Sequence, residues 1–178
     1  MSMTMNPAEL ILDYTLYPRT SIQEPHVTVL QQAVDAGRVL PPVIVDRKSK
    51  RVADGFHRVR RALKAGDTEI PVELRSYKNE AELYLDALRL NASHGRPFST
   101  FDRTRALLTA ESIHISRAQV ADALAITVER AEELHLTRTG TSRDGGVIPN
   151  RFTTAHLAGK ILTRKQQEGL EHTGGMSL

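Results

Sequence analysis

The sequence contains no cysteine and no tryptophan, and it has only four phenylalanines and four tyrosines in 178 residues. Without cysteine the chain can form neither a disulfide framework nor a thiolate zinc site. No apolar run approaches the roughly 20 residues that span a bilayer, and the first residues lack the basic-then-apolar layout of a signal peptide. We therefore expect a cytoplasmic protein that does not enter a membrane.

No sequence motif of a familiar catalytic class is present either. There is no Gly-x-Ser-x-Gly elbow, no Walker loop and no His-Glu-x-x-His, and the seven histidines show no pair at clear metal-ligand spacing. We predict no metal site. An apolar content of 40% and a charged content of 25% are typical of a globular protein with one substantial core.

Positive charge is concentrated in two parts of the chain. The formal net charge is +3, but residues 41–79 alone sum to +5 and residues 136–178 to +3, whereas residues 80–135 sum to −3. Eight Lys/Arg against two Asp lie within residues 46–64. This distribution indicates a phosphate-bearing partner near the middle of the chain.

The central stretch, residues 41–74, has a strand–turn–strand–helix–strand pattern. Val43-Ile44-Val45 and Arg51-Val52-Ala53 flank a charged turn, helical spacing begins at Asp54-Gly55, and Gly66 ends the helix before Ile70-Pro71-Val72. A glycine at such a junction lets a ligand approach the backbone, and the amides and dipole of a helix start favour an anion.

Side chains around this junction match an anion site. Arg58 can form a two-point contact with a phosphate, and His57, Arg61 and Lys64 fall on one face of the helix. The alternative is an amphipathic helix with a solvated basic face. Asp54 and His57 are weak candidates for a catalytic acid/base pair, and the alternative for Asp54 is a helix N-cap.

The flanking segments complete an α+β domain, which we place at residues 8–78. Leu10-Ile11-Leu12 predicts a first strand, residues 26–34 predict a helix that Gly37 ends, and paired prolines lead back to the sheet. A helical region, residues 79–136, follows, and residues 137–178 are predicted to be a linker or hairpin, a short helix near Thr163 and a tail.

Residues 116–134 have the pattern of a helix-turn-helix. Ser116 and Gln119 form a capping box, Thr127 caps the second helix, and Ala121 is small where two helices would cross. The expected apolar seam consists of Val120, Leu124, Ile126, Ala131 and Leu134.

DNA binding by this helix pair has evidence on both sides. The second helix exposes Glu129, Glu132 and Glu133, which DNA phosphates would repel. The candidate DNA contacts are Arg117, Thr127, Arg130 and Arg138. The alternative is a helix pair that contacts only protein.

The motif Asp-Gly-x-His-Arg, followed by an alanine-rich helix and an Ile-Pro-Val strand, resembles the ParB/sulfiredoxin superfamily over roughly residues 8–135. Residues 54–62 would match the phosphate-binding box of ParB N-terminal domains. Phe56 stands where sulfiredoxins have cysteine, so their chemistry is excluded. Asn91-Ala-Ser-His94-Gly-x-Pro97 is similar to ParB-like regulators of antibiotic clusters, the StrR type.

The resemblance implies a small mixed β-sheet with packed helices, followed by an all-α region. It also implies that the ligand is a nucleotide, CTP or ATP/ADP, and that DNA is a partner. A homodimer is a further expected partner state. The implied nucleotide-binding residues are Arg19, Gly55, Phe56, His57, Arg58, Arg61, Asn91 and His94. An exposed turn is the alternative for Arg19, and helix capping the alternative for His94.

One departure from the family bears on metal binding. Nucleotide-hydrolysing ParB proteins have a glutamate before the asparagine, where this chain has Leu90. Leucine offers Mg²⁺ no oxygen ligand, so nucleotide hydrolysis is in doubt while phosphate binding at Gly55 is unaffected.

We interpret the chain as a ParB-like DNA-binding protein, a partition protein or transcription regulator with a phosphate pocket. The alternative is a nucleotide-dependent enzyme, namely an NTPase, a free-serine kinase or a nuclease, that uses the same pocket.

Overall fold

The computed structural model describes residues 3–19, 21–93, 97–142 and 144–149. The chain divides into two units, residues 1–94 and 95–178, so the helix after residue 79 belongs to the first unit and not to the predicted helical region. The first unit contains β1 (Met3–Met5), α1 (Glu24–Asp35), β2 (Val43–Asp46), β3 (Val52–Asp54), α2 (Phe56–Ala65), β4 (Ile70–Arg75) and α3 (Glu80–Ser93).

The four strands form one mixed sheet in the order β1-β4-β2-β3. The central pair β2 and β4 is parallel, with Val43 opposite Val72, and both outer strands are antiparallel to their neighbours. The parallel pair requires a crossover, which α2 provides between β3 and β4. The α+β class predicted from the sequence is thus confirmed.

The predicted strand Leu10-Ile11-Leu12 is wrong, because the first strand is β1. Asn6 caps a 3-10 turn at Pro7–Glu9, which redirects the chain and ends the strand early. Ile11 forms only an isolated bridge, in which its amide donates to the Lys50 carbonyl and its carbonyl accepts from the Val52 amide.

Apolar side chains from the sheet and from α2 form the core of the first unit. Every residue of β2 is buried, as expected for a strand covered on both sides. Phe56 and Tyr17 stack with ring centroids 4.4 Å apart, and Tyr14 lies edge-on to both rings. The core cluster comprises Met5, Leu10, Tyr17, Val43, Val45, Val52, Phe56, Val59, Ala62, Ile70 and Val72.

The turn between β2 and β3, residues 47–50, is built around a buried carboxylate. Asp46 accepts from the Ser49 amide at 2.9 Å, from the Ser49 hydroxyl at 2.5 Å and from the Lys48 amide at 3.5 Å. Burial alone would raise the pKa of Asp46, but these hydrogen bonds outweigh it, so the pKa lies below its ordinary value. We call residues 47–50 the basic turn.

The second unit contains α4 (Thr100–Ser112), α5 (Arg117–Ala123), α6 (Val128–Arg138) and a hairpin of β5 (Thr139–Thr141) and β6 (Val147–Pro149). Ser99 and Asp102 form a capping box on α4, and Ser116 and Gln119 form the predicted one on α5. The hairpin accounts for part of the segment predicted as a linker or hairpin, and the predicted helix near Thr163 lies outside the described residues.

The helices α5 and α6, joined by residues 124–127, are called the helix pair. Thr127 caps α6 by accepting from the Arg130 amide, as predicted. Ala125 adopts the left-handed conformation (φ 52°), which lets the chain reverse in so few residues. The predicted seam is confirmed at its buried members Val120, Leu124, Ala131 and Leu134, whereas Ile126 is only partly buried.

Within the described residues, no helix combines the length and the apolar composition that a membrane crossing requires.

Replacing Phe56 should destabilise the first unit. We expect Phe56→Ala to lower the free energy of unfolding by about 3–5 kcal/mol, because it removes a buried ring that stacks on Tyr17. The control is Leu63→Ala on the same helix, where the side chain is 40% exposed and the expected loss is about 1 kcal/mol or less. Urea unfolding measures both, and equal losses would contradict this account of Phe56.

The Asp46 carboxylate should make stability depend on pH. Because its pKa is lower in the folded state, its contribution is present above the unfolded pKa and is lost as pH falls through the folded pKa. We expect Asp46→Asn to cost about 1–3 kcal/mol at pH 7 and less below pH 3. Urea unfolding at both pH values measures this, with exposed Asp35→Asn as control; an equal loss at both would contradict it.

Candidate functional site

The β3–α2 junction is shaped by Gly55. Gly55 is buried, has a φ of 106° and is the N-cap of α2, and as a glycine it has no side chain with which to cap the first turn of that helix. A Cβ at this position would lie 3.0 Å from the Nε and Nη2 atoms of Arg58. The junction therefore requires glycine for its backbone conformation and for its packing, and it leaves the helix start available to an anion.

The Arg58 guanidinium folds back over this junction. Its Nη1 donates to the carbonyls of Pro41 at 2.7 Å and Pro42 at 2.8 Å, and its Nη2 donates to Asp54 at 2.5 Å. The Asp54 carboxylate is thus an ion-pair partner, and the alternative that Asp54 is the N-cap of α2 is wrong. To bind a phosphate, the Arg58 guanidinium would have to give up its hydrogen bonds to the two proline carbonyls and to the Asp54 carboxylate.

The predicted basic face of α2 is largely neutralised inside the first unit. Arg61 is buried and donates to Asp67 at 2.5 Å, and its Nε has no partner among the described residues. Arg60 and Lys64 both bind Glu24 at the start of α1. Arg60 and Lys64 remain exposed, so the interpretation of a solvated basic face fits these two residues, whereas Arg61 is buried.

His57 lies at the start of α1 rather than beside Arg58. Its Nε2 accepts from the Gln23 amide at 3.1 Å, and its ring is edge-on to His26 at a centroid distance of 4.8 Å. An Nε2 that accepts a hydrogen bond is unprotonated, so the proton of the neutral ring is on Nδ1. Asp54 and His57 have different partners, so the geometry gives the predicted acid/base pair no support.

Arg19 and Asn91 meet behind the junction. Arg19 Nη2 donates to the Asn91 carbonyl at 3.4 Å, while the Asn91 side-chain amide donates to the carbonyls of Ala87 at 2.9 Å and Ala53 at 3.5 Å. Asn91 thereby fixes the end of α3 to the residue before Asp54. Two residues near Asn91 were also discussed from the sequence. Leu90 is partly buried, and His94 lies outside the described residues.

We call the start of α2 with Gly55, together with Arg19, His57 and Asn91, the junction site. The structure brings these predicted residues to the end of β3, where the helix-start amides and a half-buried guanidinium suit an anionic oxygen group. Phe56 belongs to the core, and the buried Arg61 pairs with Asp67 just after α2. Both residues were assigned to the pocket from the family resemblance, which does not specify where each side chain of the motif points.

The second candidate site is the helix pair, where sequence reasoning missed a charged network. Arg117 donates to Glu111 at 2.7 Å and to Glu132 at 2.6 Å, and its Nη2 lies 3.2 Å from His135 Nε2. His135 Nε2 is also 3.2 Å from Glu111. These contacts join α4, α5 and α6, and the hydrogen bond to Glu111 raises the pKa of Arg117.

The remaining charges of α6 are partly paired. Arg130 donates to Glu133 at 2.5 Å across one turn, and the Arg130 side chain is 42% exposed. The Glu129 carboxylate accepts from its own amide and from Thr127, which lowers its pKa. With Glu132 bound to Arg117, two of the three glutamates that the sequence predicted to repel DNA have a cationic partner.

Two Streptomyces proteins are similar to this chain in sequence. The streptomycin biosynthesis operon possible regulatory protein of Streptomyces griseus is 34% identical over 125 residues, 70% of this chain and 34% of that protein. The transcriptional regulator NovG of Streptomyces niveus is 27% identical over 173 residues, 92% of this chain and 51% of NovG. The chain thus spans a third to a half of the relatives it matches. No family model matches the chain.

The fold is shared with a chromosome-partitioning protein. The C-terminally truncated ParB from Caulobacter crescentus, complexed to the centromeric parS site, aligns with a TM-score of 0.53 and 14% identity over 75% of this chain and 70% of that chain. The same truncated ParB complexed with CTP-gamma-S aligns with a TM-score of 0.46 and 15% identity over 75% of this chain and 76% of that one. The chain therefore has the fold of a ParB N-terminal domain, and its two Streptomyces sequence relatives are a possible regulatory protein and a transcriptional regulator.

Proposed function

We propose that this chain is a DNA-binding transcription regulator that contacts DNA through the helix pair and binds nucleotide phosphates at the junction site. The observation that carries the proposal is the helix pair itself. Two capped helices joined by residues 124–127 around a buried seam support the assignment of a helix-turn-helix, a motif whose second helix enters the major groove.

Arg130 is the side chain best placed to contact DNA. It lies in the first turn of α6, and among the described residues it forms an ion pair with Glu133, which is exposed. An exposed pair at this spacing contributes only about 0.2–0.5 kcal/mol, so a phosphate or a guanine can replace Glu133 at little cost.

Two of the other predicted DNA contacts stabilise the packing or the start of α6. Arg117 holds Glu111 and Glu132, so its release would break the network between three helices. The Thr127 hydroxyl caps α6. We therefore assign Arg117 and Thr127 to positioning α6, and we retain Arg138, in the last turn of α6, as a candidate backbone contact.

The comparisons support DNA as the partner. Both sequence relatives are named as regulators, and the Caulobacter ParB with this fold is complexed to parS. The names of these relatives favour transcription regulation, rather than partition, as the function that DNA binding serves.

The nucleotide half of the proposal rests on the junction site. The start of α2 directs backbone amides toward this site, Gly55 gives a ligand access to the backbone, and Arg19 supplies a half-buried cation. No observation favours the enzyme alternative, because Asp54 is bound to Arg58 and His57 Nε2 accepts from the Gln23 amide.

Arg130→Ala should weaken sequence-specific DNA binding. We would select duplexes from a random 30-base-pair pool with the full chain at about 50 mM KCl, and measure affinities for a selected and a scrambled duplex. We expect Arg130→Ala to cost about 1–3 kcal/mol on the selected duplex, because a base or phosphate contact is lost.

The matched control is Glu133→Gln, which releases Arg130 from its partner and should leave DNA affinity unchanged or raise it. If the wild-type chain enriches no duplex and shifts none at low salt, DNA binding is refuted. If Arg130→Ala binds as the wild type does, the assignment of Arg130 is refuted.

Arg19→Ala should weaken nucleotide binding at the junction site. We expect a loss of roughly 10- to 100-fold for CTP, ATP or ADP, whichever binds, because a charge-assisted hydrogen bond to phosphate contributes about 1.5–3 kcal/mol. Calorimetric titration with and without Mg²⁺ measures this. We expect little effect of Mg²⁺, since Leu90 offers no oxygen ligand.

The control is Arg60→Ala, which removes a cation that binds Glu24 and leaves the junction site intact. A second variant, Gly55→Ala, should also lose nucleotide binding, because its Cβ would crowd Arg58. Wild-type protein that binds none of the three nucleotides would refute this half of the proposal and leave the DNA half standing.

A further inference from the structure

We propose that the basic turn, residues 47–50, is a second DNA-contacting surface that binds the phosphate backbone regardless of sequence. The inference rests on the proposed function, since it takes DNA as the ligand, but it assigns to the first unit a contact separate from the helix pair.

The charge pairing of the first unit singles out this turn. Of the eight Lys/Arg between residues 46 and 64, five bind carboxylates in the first unit: Arg51, Arg58, Arg60, Arg61 and Lys64. Within the part of the chain that the structure describes, the other three, Arg47, Lys48 and Lys50, form no ion pair. Of the positive charges in residues 46–64, those without a carboxylate partner among the described residues therefore all lie in the basic turn.

The turn is built so that its acceptors are used internally. The Asp46 carboxylate is occupied by the Ser49 hydroxyl and by two turn amides. Lys50 is held at a φ of 61°, and the Arg47 amide donates to the Arg75 carbonyl at 2.7 Å, which ties the turn to β4. The cations are thus carried on a fixed backbone, and ordering them on a ligand costs side-chain entropy alone.

The turn and the junction site lie at opposite ends of the same strands. Because β2 and β3 are antiparallel, with Val45 opposite Val52 and Ile44 opposite Asp54, the turn that joins them is at the far end of β3 from Gly55. Occupation of the junction site by a nucleotide therefore leaves the basic turn open to a second ligand.

Its composition favours a nucleic-acid backbone over a membrane surface. Residues 47–50 are Arg-Lys-Ser-Lys, with no apolar or aromatic side chain to insert among lipids or to stack on a base. Arg47 and Lys48 are exposed. Long cations without apolar neighbours suit repeated phosphates, where each contact releases counterions.

The test compares the salt dependence of DNA binding for the wild-type 178-residue chain and two triple variants of it. We would measure binding to a labelled 30-base-pair duplex of mixed sequence by fluorescence anisotropy between 50 and 200 mM KCl. For R47Q/K48Q/K50Q we expect the slope of log K against log salt to shrink by about 2–3, because each lost phosphate contact removes about 0.9. Over this range that corresponds to a roughly 16- to 64-fold smaller loss of affinity than in the wild type.

The control R38Q/R60Q/K64Q removes the same charge from elsewhere in the first unit and should keep the wild-type slope. A triple variant with an unchanged slope, or a control with an equal loss, overturns the proposal and leaves the proposed function intact. Wild-type protein that binds no duplex at 50 mM KCl overturns the proposed function and the inference together.

Two further measurements test whether the basic turn binds DNA rather than a membrane, and whether the loss is separate from unfolding. Lys48→Glu alone should weaken binding to the same duplex without lowering the melting temperature, since the side chain is exposed. Sedimentation with vesicles of 30% phosphatidylserine provides the alternative outcome. Vesicle binding that the triple variant loses, with DNA binding unchanged, would assign the turn to a membrane and overturn the proposal.

Discussion

The contact between the Arg58 guanidinium and the entry to β2 is the interaction on which the first unit depends. One side chain satisfies the carbonyls of Pro41 and Pro42, which lie just before the strand, and pairs with Asp54 at the end of β3. It thereby holds two strand ends together and sets the space above Gly55. The helix start that could receive an anion is framed by an arginine that is itself engaged with the protein.

The two units treat charge in the same way. In the first, Glu24, Asp54, Asp67 and Glu80 take up most of the cations of the central segment. In the second, Arg117 and Arg130 take up two acidic side chains of α6. Local sums of charge along the sequence therefore overstated the positive potential of α2 and the negative potential of α6. What each surface presents depends on which charges remain after internal pairing.

Local patterns predicted the elements well, and contacts between distant residues account for the errors. Capping boxes at Ser99 and Ser116 and the period of the apolar residues in α2 depend on neighbours three or four positions apart, so the sequence contains them. The partners of Arg61, His57 and Arg117 come from other segments, and no local pattern reports such pairing.

The same distinction explains the candidate site. Arg19 and Asn91 were proposed from a resemblance, and the structure brings them into contact although 72 positions separate them. Phe56 was proposed from its place in the motif, but its ring stacks on Tyr17 in the core. The motif located the glycine between β3 and α2, whereas the direction of each side chain depended on tertiary packing that one sequence does not contain.

The pairing of the edge strand β1 with β4 affects the order in which the sheet forms during synthesis. The three residues of β1 pair with β4, and Thr4 bonds to Glu69, which is 65 positions away. Closing so long a loop for so short a strand yields little net stability, so β1 joins last and frays first. On the ribosome, Met3–Met5 must wait until β4 has left the exit tunnel before the sheet can acquire its outer strand.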